Sequence, residues 1–419
     1  MIGFDEARRL ILSACRPAPI EVVATAQAMG RVLAEAIVSP ADLPPFDNSA
    51  MDGFALACGG VTLPVGGEFA VGAALAAGDA PLSAARGAVE IMTGAPMPPG
   101  FDGVLPIEHV EILDRDGEGR PRHIRNHADV VPGVHVRRCG QDVARGQRVL
   151  SAGTRVGAVP RMLLSALGVP EVRVYARIKV ALLTTGRELI DDPHQPLLPG
   201  QIRNSNGPFL SDRLLEVGAE LCHRETVADE PADFLVALQR GLDAGADVVL
   251  STGAVSMGRY DFVPDSLRGL GAEAVFHKVA IRPGKPLLFA RLPSGPLYFG
   301  LPGNPISSAV GLRFFVLPAL RAMQARAQET PLRLPLAQAL EKKTDYTLLQ
   351  KALVARSGDG CLQVQLLQGQ ESFRIQPLLQ ANAWAVVRGS IETMPAGTLV
   401  EVFGLTEDGI VLATDTIAT

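Results

Sequence analysis

From Ile178 to about Arg326 the sequence alternates short apolar runs with amphipathic ones, and the apolar runs stop at glycine. KVALL leads into TTGREL, ADVVLSTGAVSMG ends in a glycine loop, and PLYFGLPGNPISSAVGLRFFVLPAL passes from strand through a Gly-Pro loop into a long apolar helix. SDRLLEVGAEL and FLVALQRGLDAG carry apolar residues at helical spacing. Parallel strands need crossover connections, so this alternation predicts a mostly parallel sheet with helices on both faces. Ligands of such sheets bind beyond the carboxyl ends of the strands, which is where these glycine loops fall.

The flanking segments follow other patterns. GFDEARRLILSAC has helical spacing, and VVATAQAMGRVLAEAIV predicts a second helix followed by a short strand. From Pro40 to about Leu150 short apolar runs are broken by Gly and Pro, predicting a β-rich domain over 46–148. SAGTRVGAVPRMLLSALGVPEVRVYAR returns to helix, with Gly168 as C-terminal cap and Pro170 blocking continuation. Residues 1–45 and 149–177 are therefore expected to form one discontinuous, helical domain around the β-rich insert, with the α/β domain over 178–328. ALVARS, LQVQLL, AWAVV and TLVEVFG predict a small β-barrel or sandwich over 329–419.

Composition narrows the function. The 419 residues include 43 Gly and 32 Pro but only one Trp and four Tyr, while 47% are hydrophobic and 20% charged. In so apolar a chain the excess means tight turns and loops, not disorder. Lys and Arg total 39 against 44 Asp and Glu, a formal net charge of −5, which gives no whole-chain basic surface for nucleic acid. No run is expected to supply the ~20 apolar residues of a membrane span. The opening MIGFDEARRL carries charges where a signal peptide is apolar, so a cytoplasmic protein with no membrane partner is expected. Cys15, Cys58, Cys139, Cys222 and Cys361 are scattered singly, predicting neither disulfides nor structural zinc.

Three strand ends carry glycine loops: Thr184-Thr185-Gly186, Ser251-Thr252-Gly253 and Pro302-Gly303-Asn304-Pro305. Each predicts backbone N–H groups and small hydroxyls where a phosphate would lie against a helix N-terminus, although strand-to-helix turns also use glycine for geometry alone. None fits G-x-x-x-x-G-K-[ST] or G-x-G-x-x-G, which removes P-loop and Rossmann readings. In HKVAIRPGKPLLFA, Lys278, Arg282 and Lys285 surround a Pro-Gly turn, and alternation sends Lys278 and Arg282 to one face of a short strand. They are either gatekeeper charges on a solvated edge or an anion cradle. In the cradle reading each cation within ~4 Å of a bound charge contributes on the order of 4 kcal/mol gross at an effective dielectric of ~20.

Glu188, Asp229 and Asp261 lie in the same loops. Asp229 and Asp261 either cap the helices that follow or, with Glu188, hold a cation beside bound phosphate, for which Mg²⁺ with oxygen ligands is the natural candidate. FDNSAMDGFA gathers Asp47, Asn48, Ser49 and Asp52, and IMTGAPMPPGFDGVLPIE adds Thr93 and Gly94; turn chemistry and a site account for these equally well.

FDNSAMDGFA, IMTGAPMP, TTGRE, STGAVSMGRYDF, IRPGKP and GLPGNPISS, in this order, resemble the molybdopterin molybdenumtransferase family, to which the MoeA proteins and the E domain of gephyrin belong. The resemblance spans essentially the whole chain. It implies an elongated homodimer of four-domain subunits whose third domain is a three-layer α/β, MogA-like nucleotide-type domain and whose fourth is a β-barrel. It further implies that adenylylated molybdopterin and molybdate are converted, with Mg²⁺, to molybdenum cofactor and AMP in a cleft shared between subunits.

Matched motif by motif, the catalytic set would be Asp52 and Thr93 from the second domain and Glu188, Asp229, Asp261, Lys278 and Arg282 from the third, with Glu188, Asp229 and Asp261 at the metal. Thr185, Gly186, Asn204, Ser251, Gly253, Ser256, Lys285, Pro302, Gly303, Asn304 and Ser372 would bind the pterin nucleotide and molybdate. Ser372, in GQESFRIQPLLQAN, corresponds to the family's functional serine of the fourth domain. The sequence departs from the family pattern at Ala254, where many members have glycine, at Arg282, where some have lysine, at Glu230, where a second Asp is frequent, and at Glu371, where glycine is common.

The absence of a thiol cluster agrees with this chemistry, because the metal in the product is held by the pterin's own sulfurs. An adenylyltransferase that makes the adenylylated pterin from ATP is the nearest alternative, distinguished by pyrophosphate release. A gephyrin-like dimeric scaffold is another, distinguished by failure to bind AMP or molybdate. Partner proteins expected from the resemblance are that adenylyltransferase and maturation factors of molybdoenzymes.

Overall fold

The alternating region pairs into one six-stranded sheet in the computed structural model of the chain, which describes residues 1–256, 261–358, 360–390, 392–407 and 409–412. Across the sheet the order is Glu220–Val227, Lys179–Thr185, Val248–Thr252, Leu297–Leu301, Leu288–Arg291 and Glu273–His277. The first four strands are parallel and the last two join antiparallel. Strand alternation sorts the apolar residues by face. Val180, Leu182, Val248 and Leu250 pack with Leu210 and Leu214 of the helix Asn206–Glu216 and with the run that begins at Pro305. Ala181, Leu183 and Val249 pack on the other face with Phe234, Ala237 and Leu238 of the helix Pro231–Asp243 and with Val263 and Leu267 of Val263–Gly269.

Pro305–Met323 is continuous helix with a π-helical stretch at Leu312–Val316. Contrary to the expectation from the sequence, it is long and apolar enough to cross a bilayer, yet 89% of it is buried inside the protein, as suits a core helix.

The chain divides into two compact units. One comprises Met1–Glu21, Gly30–Ala34 and the residues from Arg173 onward; the other comprises Val22–Met29 and Glu35–Val172. The second unit is β-rich, with a six-stranded sheet ordered Gly103–Pro106, Gly53–Leu56, Ala88–Ile91, Glu68–Leu75, Pro121–Asn126 and Val110–Arg115.

The expected second helix near the N-terminus does not form. Its β-branched start makes the strand Ile20–Ala24, which pairs with Glu171–Tyr175, and only a short 3₁₀ turn, Thr25–Gln27, follows. Thr25 leaves the helical path because its hydroxyl donates to Val169 O at 2.6 Å and its N–H to Pro170 O at 2.9 Å. The first helix, Phe4–Ala14, does form, but Phe4, Ala7 and Ile11 are buried in the α/β core and not in a separate helical domain. The helix Ala158–Ala166 ends as expected, with Gly168 at φ +66° and its N–H on Ser165 O.

The C-terminal strands follow the order Ile281–Arg282, Thr347–Arg356, Ala383–Val387, Leu399–Gly404 and Leu332–Pro335, with Leu362–Leu366 beside Thr347–Arg356. Leu336, just after the last strand in that order, bridges Val364 of Leu362–Leu366.

Candidate functional site

The three glycine loops follow neighbouring parallel strands, and the structure brings them into one row. A Cβ added to Gly253 would lie 2.6 Å from Thr185 Oγ1 and 2.7 Å from Thr185 O, and one added to Gly303 would lie 3.7 Å from Gly253 Cα. Gly253 also has φ +92°, so close approach and backbone conformation both demand glycine there.

The amides expected to receive phosphate are largely committed to the fold. Gly186 N–H donates to Val227 O and Gly253 N–H to Leu301 O, while Ile306 N–H, at the N-terminus of the Pro305 helix, donates to the Ser372 carbonyl at 3.0 Å. Ser251 is fully buried and accepts a hydrogen bond from the Tyr298 hydroxyl, whose pKa burial pushes up. Asn204 is likewise engaged: its amide nitrogen lies within 3.1 Å of Thr184, Thr226 and Asp191 oxygens, and its oxygen accepts from Gly207 N–H. The Thr185 hydroxyl donates to Thr252 O.

Carboxylates gather at the first loop. Asp229 accepts from Arg187 N–H at 3.4 Å, and Glu188 Oε2 lies 2.8 Å from where a Cβ on Gly186 would be. Asp229 therefore does not cap the next helix, whose N-cap is Glu230. Asp261 sits one residue before the Phe262 N-cap of Val263–Gly269, and Val263 N–H donates to Ala254 O, tying that segment to the second glycine loop. Among the described residues no three His, Cys, Asp or Glu side chains gather closely enough to hold a metal ion, so Glu188, Asp229 and Asp261 do not form a three-carboxylate cage. Glu188 and Asp229 reach the first glycine loop from two different segments, one through the space beside Gly186 and the other through Arg187 N–H.

Past the third loop lies a cavity of about 930 Å³. Arg282, Lys285, Pro302, Asn304 and Ser372, all singled out from sequence, line it together. Arg282 and Lys285 are exposed, and Lys285 Nζ sits 5.3 Å from the centre of the Tyr346 ring, a cation–π contact that steers the ammonium. Two carboxylates share the wall, each with a cation of its own: Glu341 pairs with Lys343 at 3.2 Å and Glu371 with Arg374 at 3.3 Å.

Lys278 stands elsewhere. The strand Glu273–His277 ends before it and Lys278 adopts φ +79°, so Lys278 and Arg282 do not share one strand as alternation predicts. Arg282 belongs to Ile281–Arg282, which pairs with Thr347–Leu348. In the β-rich unit Asp52 and Thr93 meet: Asp52 Oδ1 accepts from Thr93 N–H at 2.6 Å and from its hydroxyl at 2.8 Å. These two hydrogen bonds hold the Asp52 pKa below its ordinary value.

Comparison with known proteins decides what this assembly belongs to. Family models match residues 2–168 as the MoeA N-terminal region (domain I and II), 181–322 as a probable molybdopterin binding domain and 333–405 as the MoeA C-terminal region (domain IV). The chain is 36% identical to a molybdopterin molybdenumtransferase of Synechococcus elongatus, over 97% of this chain and all of that one. It is 32% identical to one of Haemophilus influenzae over 96% and 98% of the two chains. A crystal structure of the MoeA molybdopterin biosynthesis protein of Pyrococcus horikoshii superposes with a TM-score of 0.77 at 26% identity, covering 97% of this chain and 99% of that one.

The chain belongs to the MoeA family. Membership makes it a transferase with a role in molybdenum cofactor biosynthesis, built on a multidomain fold whose central α/β region, residues 181–322, matches a probable molybdopterin binding domain.

Against the MoeA pattern, two departures have structural answers. Ala254 adopts φ +52°, the conformation a glycine takes freely. The extra charge at Glu371 is offset by Arg374. Sequence reasoning missed three contributors. Asn206 Nδ2 donates to Gly303 O at 2.7 Å and fixes the third loop, His277 Nε2 holds Val255 O at 2.6 Å beside exposed Ser256, and Lys351 Nζ donates to Gly369 O and Arg374 O on either side of Ser372. Asn206 and Lys351 lie outside the quoted motifs and His277 only heads HKVAIRPGKPLLFA, because each acts by a contact distant in sequence. A larger cleft of about 1030 Å³ includes Arg16, Asp247, Glu273 and Arg291, at the opposite ends of the central strands from the glycine loops. Three of its charges are engaged by neighbours, Arg291 with Glu273 and Asp247 with Lys179 N–H.

Proposed function

We propose that this chain inserts molybdate into adenylylated molybdopterin with release of AMP, in a Mg²⁺-dependent reaction. The observation that carries the reading is the convergence of Arg282, Lys285, Asn304 and Ser372 on one cavity that adjoins the row of glycine loops through Pro302. At about 930 Å³ the cavity falls within the range that holds small-molecule substrates. Molybdate is an oxyanion, and Arg282 and Lys285 supply positive charge where it would bind. In this reading the pterin nucleotide lies against the backbone of the glycine loops. Breaking the link between pterin phosphate and AMP needs charge neutralisation and positioning more than a covalent nucleophile. Mg²⁺ would supply that neutralisation, with Glu188 and Asp229 holding it.

The same reading takes the chain as a homodimer of four-domain subunits, with Asp52 and Thr93 of a second copy completing each site and the cytoplasm as its compartment. Separate family matches for the N-terminal, central and C-terminal regions support a multidomain subunit, and the Leu336–Val364 bridge supports a closed C-terminal barrel.

The test is to incubate the purified protein with adenylylated molybdopterin and Mg²⁺, add molybdate and measure AMP. Molybdate-dependent AMP release is expected, and Asp261→Ala should abolish it while the protein stays folded. Mixing Asp52→Ala subunits with Asp261→Ala subunits should restore part of the activity if the site is shared. Release of pyrophosphate from ATP instead, or no molybdate dependence, would overturn the reading.

A further inference from the structure

Gly369, Gln370, Glu371, Ser372 and Phe373 line the cavity from a segment that belongs to no strand or helix. An irregular segment has no ladder of its own to hold it, so its backbone groups need other partners. Lys351 provides them. It lies in the strand Thr347–Arg356 with no exposed surface, and its ammonium donates to Gly369 O at 2.6 Å, Arg374 O at 3.1 Å and Glu371 O at 3.5 Å. A lysine has three donors, and all three go to this one segment.

The grip is reciprocal. Lys351 N–H donates to Gln370 Oε1 at 3.0 Å, and Gln370 Nε2 donates back to Lys351 O at 2.8 Å. On its other side the segment is fixed where Ser372 O accepts Ile306 N–H. Ser372 is thus suspended between a buried cation and the first turn of the core helix. Enclosing a lysine is costly unless it is fully hydrogen-bonded, and an apolar side chain would fill the same strand position without that cost.

We propose that Lys351 is a positioning residue for the oxyanion end of the cavity, fixing the Gly369–Arg374 segment so that Ser372 is presented on the wall it shares with Arg282 and Lys285. What the cavity binds rests on the function proposed above; the clamp itself does not.

The experiment compares the full-length wild type with Lys351→Met, Gln370→Ala and, as a stability control, Arg313→Met. Arg313 is a buried cation bound to Glu329 and Gly404 O, with no contact to the segment among its hydrogen bonds. Lys351→Met is expected to raise the molybdate KM for AMP release about tenfold while kcat per folded enzyme changes less than about twofold. Hydrogen exchange should speed up at Gly369–Arg374. Gln370→Ala should move both readouts in the same direction by less, and it serves in place of Lys351→Met if that variant does not fold. Arg313→Met should lower the melting temperature without a KM shift. Wild-type KM and unchanged exchange in the segment would overturn the proposal, as would an equal KM shift in Arg313→Met. If the wild type releases no AMP, the proposed function fails, and exchange across Gly369–Arg374 still decides the clamp.

Discussion

The row of glycine loops and the cavity beside it are built on opposite principles. In the row, polar groups face inward: Ser251 to Tyr298, Asn204 to Thr184 and Thr226, and Gly253 N–H to Leu301 O. Its shape comes from backbones packed so closely that a methyl on Gly253 would collide with Thr185. In the cavity the cations Arg282 and Lys285 stand exposed, and the packing that matters lies one layer behind, in Lys351. The row therefore acts as a rigid surface and the cavity wall as a charged one, so damage to the first should register as stability and damage to the second as affinity.

Gly253→Ala tests the rigid side and should have the largest effect. Its Cβ would meet Thr185 Oγ1 at 2.6 Å and Thr185 O at 2.7 Å, from a backbone at φ +92°. Strain and collision together should cost roughly 2–4 kcal/mol, read as a clear fall in melting temperature. Gly303→Ala is the matched comparison. Its nearest contact would be Gly253 Cα at 3.7 Å, an ordinary van der Waals distance, so it should melt close to wild type. Equal melting of the two variants would remove close packing at Gly253 as the source of the row's rigidity.

Arg282→Ala tests the charged side. Arg282 is exposed, so its loss should alter stability by less than about 0.5 kcal/mol. A charge-assisted hydrogen bond contributes about 1.5–3 kcal/mol, so molybdate affinity should fall roughly 10- to 100-fold. Titrating molybdate against AMP release reads this directly. A variant that melts early but binds molybdate normally would assign Arg282 to the scaffold instead.

What the sequence makes legible follows the same division. Strand-helix alternation exposes the parallel sheet because burial on two faces leaves a periodic record, and Gly253 is visible because close approach at a positive φ permits no other residue. Asp52 and Thr93 are found separately in two short motifs, and the structure joins them by two hydrogen bonds. The misreadings arise where a tertiary partner overrides local pattern. Thr25 is drawn out of a helical run by Val169 and Pro170, and Lys278 at φ +79° breaks a strand that alternation would continue. The strand Glu220–Val227 carries His, Arg and Glu and is not among the expected strands, yet it pairs along the whole of Lys179–Thr185. Lys351 is the clearest omission: a lone lysine in an apolar strand carries no motif, and its meaning appears only with the three carbonyls around it.

Ala254→Gly gives the smallest and most discriminating result. At φ +52° alanine bears a left-handed strain of about 1–2 kcal/mol that glycine escapes. Glycine in turn loosens the unfolded chain, at about 0.4–1 kcal/mol, and removes a methyl that packs against the second core cluster. Ala254 O and Val255 O are already held by Val263 N–H and His277, so the folded loop has little freedom to gain. These opposing contributions leave a net stabilisation of about 0.5 kcal/mol, with molybdate KM unchanged, measurable by chemical denaturation. A loss of more than about 1 kcal/mol would mean that methyl packing outweighs backbone strain. The second loop would then be held, like the cavity wall, by side chains behind it and not by the backbone conformation that glycine supplies.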